Sequence, residues 1–128
     1  MNTAVQHYRS KLEFETDAWD LNEMLRQGLD VTIVDARSAA AFADGHIPGA
    51  INLPHRGTNQ DNTSQLDRGS LLVTYCDGIG CNASTKGALR MAELGFRVKE
   101  LIGGLDWWKR DGYAVETSPA ALIQPQVI

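Results

Sequence analysis

An apolar run, Leu71–Tyr75, leads straight into Cys76, a glycine-bearing loop and a segment of helical pattern that closes at Gly95. A strand feeding a tight loop and then a helix is a unit of layered α/β domains, so these residues constrain the architecture more than any others. The same layout aims the Cys76 thiol at the backbone N–H groups of the loop and at the positive end of the following helix, both of which favour an anion. Gly78 and Gly80 let the loop take positive φ and turn its N–H groups inward. A free thiol titrates near ~8.5 and thiols at helix N-termini fall to roughly 3.5–7.5, so Cys76 is expected to be largely thiolate and nucleophilic.

The rest of the chain alternates in the same way. Leu12 and Phe14 alternate with charges and suggest a short first strand; Thr16 or Asp17 then caps a helix to about Gln27, with Ala18, Leu21, Met24 and Leu25 on one face. Val31 to Val34 is continuously apolar, as in a strand covered on both faces, and ends in Asp35-Ala36-Arg37. Ser38 caps a helical turn through Ala43, and Gly45 and Pro48-Gly49 lead to a strand near Ala50 to Leu53. Residues 54–70 are polar, with Leu66 the only large apolar side chain, and read as a mobile surface connection. After the Cys76 loop, Thr85, Ala88, Leu89 and Ala92 mark the buried helix face. Val98 to Ile102 is a further strand candidate, Gly103-Gly104 a tight turn, and Leu105 to Arg110 a helix in which one of Trp107 and Trp108 anchors the core. From Thr117 onward a loosely docked tail is expected. Ligands of such sheets sit outside the carboxyl ends of the strands, where Cys76 and Asp35 both fall.

A chain of 128 residues suits one domain. Its net charge of −4, with both signs interspersed, argues against nucleic acid or an anionic membrane as partner. No run approaches the ~20 apolar residues of a membrane span, and a soluble, cytoplasmic protein is expected. The two cysteines, Cys76 and Cys81, share one loop. A disulfide closing so small a loop staples little of the fold, so reactive or redox use is the stronger reading. His46 and His55 raise zinc, but the second half of a ligand set is missing; neither metal nor cofactor is expected.

Three stretches carry a resemblance. Val34-Asp35-Ala36-Arg37 is followed by Phe42 and by the run from Gly45 to Pro54; the strand, Cys76 loop and helix come next; Gly103-Gly104 with Trp107, Trp108 and Gly112 closes the set. Together they make the chain similar to single-domain rhodanese-like proteins. The resemblance implies a three-layer α/β fold with a mainly parallel central sheet and helices on both faces. It also implies a rhodanese-like domain over residues 12–113, between an N-terminal extension of residues 1–11 and a tail of residues 114–128. The implied activity is sulfur transfer: Cys76 takes sulfane sulfur from a small donor, holds it as a persulfide and passes it to a thiol or protein acceptor. Asp77, Gly78, Ile79, Gly80, Cys81 and Asn82 would form the substrate-binding N–H cradle, which serves anions without a cofactor.

The chain also departs from the family's commoner loop, which is shorter and often carries a cation. Here the loop is about two residues longer, without Arg or Lys and with Asp77 and Cys81, so thiosulfate is expected to be a poor donor. Arg37, Arg56 and Lys86 could lend charge from outside the loop, and His55 and Arg56 could flank its mouth. Phosphatases of the same general fold clamp phosphate with an arginine six residues after the cysteine, where this chain has Asn82. Cys81 is either a resolving thiol that attacks an oxidised or persulfidated Cys76, or a small residue in a tight loop. Asp35 and Arg37 are expected to brace the site as an ion pair, and His46 to be a structural hydrogen-bonding residue. Two other classes compete with sulfur transfer: a thiol redox protein using Cys76 and Cys81 as a reversible pair, and a non-catalytic binding or regulatory module.

Overall fold

The computed structural model describes residues 2–118. Five strands, β1 (Glu15–Thr16), β2 (Val31–Asp35), β3 (Ile51–Asn52), β4 (Leu71–Tyr75) and β5 (Val98–Leu101), form one sheet in the order β1-β5-β4-β2-β3. Every pairing in it is parallel. The helices are α1 (Thr3–Phe14), α2 (Ala18–Arg26), α3 (Ala39–Asp44), α4 (Gln60–Thr63), α5 (Ala83–Glu93) and α6 (Gly104–Arg110).

Alternation along the strands sorts the core into two layers. Ile33, Val73, Tyr75 and Leu101 pack with Ala18 and Leu21 of α2 and Leu105 and Trp108 of α6. Val34 and Leu72, one residue out of step, face Met91 of α5 and Phe96. Each fully buried Leu, Ile or Met stabilises by about 1.5–3 kcal/mol relative to exposure, so both faces hold the central strands in place.

Three expectations about local structure need correction. Leu12 and Phe14 belong to the exposed end of α1, and the first strand is Glu15–Thr16. Asn2 caps α1 by accepting from the Ala4 N–H, and Lys11 pairs with Glu15, so a helix nucleated upstream runs through the apparent alternation. Residues 54–70 are not simply a surface connection. Asn59 and Asn62 form a capping box on α4, and Thr58, Thr63 and Ser70 are buried with their hydroxyls hydrogen-bonded.

The buried face of α5 is Ser84, Gly87 and Met91, whereas Thr85, Leu89 and Ala92 point outward. A Cβ on Gly87 would sit 3.3 Å from the Ala36 Cβ, so this glycine lets α5 lie close against the end of β2. Beyond α6, Glu116 forms an antiparallel bridge with His46, and the Ser118 N–H donates to the Ala43 carbonyl. The remainder of the expected tail lies outside the described residues. Among those residues no helix is long and apolar enough to cross a membrane.

Candidate functional site: the Cys76–Cys81 loop

β4 delivers Cys76 to the carboxyl edge of the sheet, where it is only 1% exposed. The backbone then turns over α6. The Leu105 N–H donates to the Cys76 carbonyl at 2.9 Å and the Asp106 N–H to the Asp77 carbonyl at 2.8 Å, so the first-turn amides of α6 grip the loop. This needs glycine at position 104: at φ +55°, a Cβ there would meet the Cys76 carbonyl oxygen and lie 2.8 Å from the Gly78 nitrogen. Gly80 takes φ +97°, and the Cys81 N–H donates to the Gly78 carbonyl at 3.3 Å, closing a turn at the far side of the loop. Ile79 stands out at 84% exposure. Asn82 is the N-cap of α5 but makes no side-chain capping bond.

Within this loop Cys76 and Cys81 are joined by a disulfide, their Cα atoms 6.5 Å apart. That bond overturns the expectation of a sulfurtransferase with a free Cys76 thiolate and a persulfide on a catalytic cysteine. Persulfide formation starts with a thiolate attacking sulfane sulfur, and both sulfurs here are already bonded to each other. The electrostatics also differ from those inferred from the sequence. Glu100 of β5 accepts from the Ser84 Oγ at 2.7 Å and the Thr85 Oγ1 at 2.6 Å, so a carboxylate already stands at the N-terminus of α5. The Cys81 carbonyl oxygen lies 3.3 Å from the Cys76 sulfur.

Asp35 and Arg37 meet at the end of β2, both buried. The Arg37 Nη2 donates to Asp35 Oδ2 at 2.7 Å, its Nε to Oδ1 at 3.0 Å, and Nη2 also to the Gly45 carbonyl at 2.5 Å. Burial alone would lower the Arg37 pKa, but the hydrogen bonds and charge of Asp35, then the hydrogen bond of Asp77, raise it above its ordinary value. Burial, with the charge of Asp35, likewise pushes the Tyr75 phenol up, and that hydroxyl accepts from the Ile47 N–H. The cation of this pair also reaches the loop, since Nη1 donates to Asp77 Oδ1 at 3.1 Å.

The remaining candidates are distributed around this frame. His46 stacks on Phe42 and its Nδ1 lies 2.8 Å from the Phe42 carbonyl oxygen. Trp108 is buried and donates to the Ala114 carbonyl, while Trp107 is half exposed. His55 and Arg56, on a 3₁₀ turn over His55–Gly57, line a cleft of about 370 Å³ together with Arg37, Asp77 and Cys81. Cys81 also lines a cleft of about 240 Å³ with Glu15 and Glu100. Glu100, its two hydroxyl donors and Gly104 belong to the site without being part of any motif around Cys76. A Gly-Gly pair before a helix was the one local signal for Gly104; Glu100 carried none.

Comparison with known proteins bears on the whole fold. The model of the rhodanese-like domain family matches residues 17–111. Over 103 residues the chain is 36% identical to an HTH-type transcriptional regulator of Mycobacterium tuberculosis; the match covers 78% of this chain but only 45% of that protein, so this chain spans under half of it. A sulfurtransferase of Allochromatium vinosum is 32% identical over 101 residues, covering 79% of this chain and 92% of its own length. A crystal structure of a Bacillus halodurans protein superposes with a TM-score of 0.86 at 43% identity, covering 90% of this chain and 85% of that one.

Proposed function

We propose that this chain, which belongs to the rhodanese-like domain family, works as a thiol–disulfide redox protein whose functional unit is the Cys76–Cys81 pair. The observation that supports this is the disulfide itself, joining a buried Cys76 to a half-buried Cys81 that lines two clefts. Exchange then has a preferred direction. An incoming thiolate attacks the sulfur of Cys81, forming a mixed disulfide and displacing the electron pair onto the Cys76 sulfur. A second thiolate attacks the external sulfur of that mixed disulfide and releases Cys81. The protein gains two electrons and two protons, and two external thiols leave as their disulfide. A bond that closes so short a loop adds little to folding, which fits a disulfide made and broken in use rather than a structural staple.

A second reading is supported by the similarity to the M. tuberculosis regulator: the same dithiol could change state once and be read by a partner. The two differ in turnover, since an oxidoreductase passes electrons repeatedly between thiol pools. The deciding experiment equilibrates the protein in buffers of reduced and oxidised dithiothreitol and measures intact mass after acid quench. A single two-electron transition is expected, oxidation removing two hydrogens. Brief iodoacetamide treatment of the reduced form should label Cys81 well ahead of Cys76. Two free thiols throughout the buffer range, or equal labelling of both cysteines, would overturn the assignment.

A further inference from the structure

Cys81 is approached from two sides of opposite charge. The cleft shared with Glu15 and Glu100 has no Lys or Arg in its lining. The cleft on the other side is lined by Arg37, His55 and Arg56 and continues past the last two into a second cleft of about 490 Å³, to which α5 adds Lys86 and Arg90. Not all of these cations are available. Arg37 is bound to Asp35 and Asp77, and Arg90 has Glu93 at 3.9 Å. Among the described residues, however, no carboxylate lies within 4.0 Å of Arg56 or Lys86. Both flank His55, whose pKa is lowered by burial and then by the charges of Lys86 and Arg56, so the imidazole is neutral at pH 7 and does not compete with them for an anion. In a chain of net charge −4, an unpaired Arg56 in the cleft of Cys81 and an unpaired Lys86 in the adjoining one are a local excess of the opposite sign.

We infer that the exchange partner at Cys81 is a low-molecular-weight thiol or disulfide that carries carboxylates, held by Arg56 and Lys86 while its sulfur reacts. This rests on the redox reading and names the substrate class for it. The chemistry is the exchange already given: the carboxylates take no part in bond making, and the cations raise the local concentration of the anion and its orientation toward Cys81. The acidic cleft would repel the same molecule, so only one of the two approaches serves it.

The test follows reduction of the oxidised protein by mercaptosuccinate and 2-mercaptoethanol, with each rate expressed per thiolate. Mercaptosuccinate is expected to be the faster of the two. In the Arg56→Ala/Lys86→Ala double variant the ratio of mercaptosuccinate to 2-mercaptoethanol should fall by about tenfold at low ionic strength, and raising salt to about 0.5 M should collapse the wild-type ratio. Arg56→Lys alone should keep most of the preference. A ratio unchanged in the double variant, or 2-mercaptoethanol as fast as mercaptosuccinate on the wild type, would overturn the inference while leaving the redox reading intact. Failure of dithiothreitol to reduce the folded protein would instead bring down the redox reading, and this inference with it.

Discussion

Arg37 donates to Asp77 across 3.1 Å, so the residue that follows Cys76 is tied to the same guanidinium that neutralises the buried Asp35. Strand β2 thereby holds the disulfide loop from one side while α6 grips its backbone from the other. The two attachments differ in kind. Asp77 is 71% exposed and its ion pair is screened by water, whereas the contacts to α6 are backbone hydrogen bonds at a close approach.

Asp77→Asn should therefore alter the redox poise more than the fold. Its charge disfavours thiolates at Cys76 and Cys81, and its contact with Arg37 supports the loop in the disulfide form, so losing both makes the pair more oxidising. An exposed ion pair is worth about 0–1 kcal/mol, which for a two-electron couple is a rise of at most ~20 mV. Equilibrium against a dithiothreitol buffer checks the sign, and a fall in potential would refute the electrostatic account.

Asp35→Asn should destabilise the whole domain. It leaves the Arg37 guanidinium buried with only the Gly45 carbonyl and the exposed Asp77 as strong partners. Breaking a buried pair by removing one partner costs about 3–5 kcal/mol. Urea unfolding at pH 7 measures it, and a loss below about 1 kcal/mol would place the pair among surface interactions.

Two glycines with positive φ separate strain from collision. Gly104 at φ +55° faces the loop backbone, whereas Gly112 at φ +85° has nothing within 4 Å of a Cβ. Gly112→Ala should cost about 1–2 kcal/mol from backbone conformation alone. Gly104→Ala adds overpacking of about 1–3 kcal/mol and should displace the Cys76 loop, seen as faster reduction of the disulfide. Equal losses in the two variants would show that α6 does not press on the loop.

The pKa of His55 lies below its ordinary value because of burial and then the charges of Lys86 and Arg56. The folded state thus disfavours the protonated ring, so stability is untouched well above about 6.5 and falls as pH drops through that unfolded value, where the unfolded chain takes up the proton first. NMR titration of the His55 ring should show its pKa moving up toward the ordinary value in the Arg56→Ala/Lys86→Ala variant. No movement would mean that neither cation faces the imidazole.

The parallel α/β layering was legible because its causes are local. The apolar runs at Val31–Val34 and Leu71–Tyr75, the caps at Asp17 and Ser38 and the turn glycines each act within a few residues. The placement of Cys76 at a carboxyl strand end follows from that layering alone. Local pattern failed where a neighbouring force was stronger. The Asn2 cap carried a helix through Leu12 and Phe14, and in α5 it is Ser84, Gly87 and Met91 that meet the sheet, with Gly87 against Ala36 and Ser84 bonded to Glu100, both distant in sequence.

By itself the sequence determined that a cysteine leaves the central strand into a glycine-bearing loop holding a second cysteine. Its form in this structure was decided by tertiary structure. The path of the loop depends on α6 approaching at Gly104 and on Arg37 reaching Asp77, and that path brings Cys81 back to Cys76. Whether a thiol faces open amides or another sulfur is a matter of a few ångströms set by residues brought together from three separate segments, a distance that no periodicity or spacing encodes.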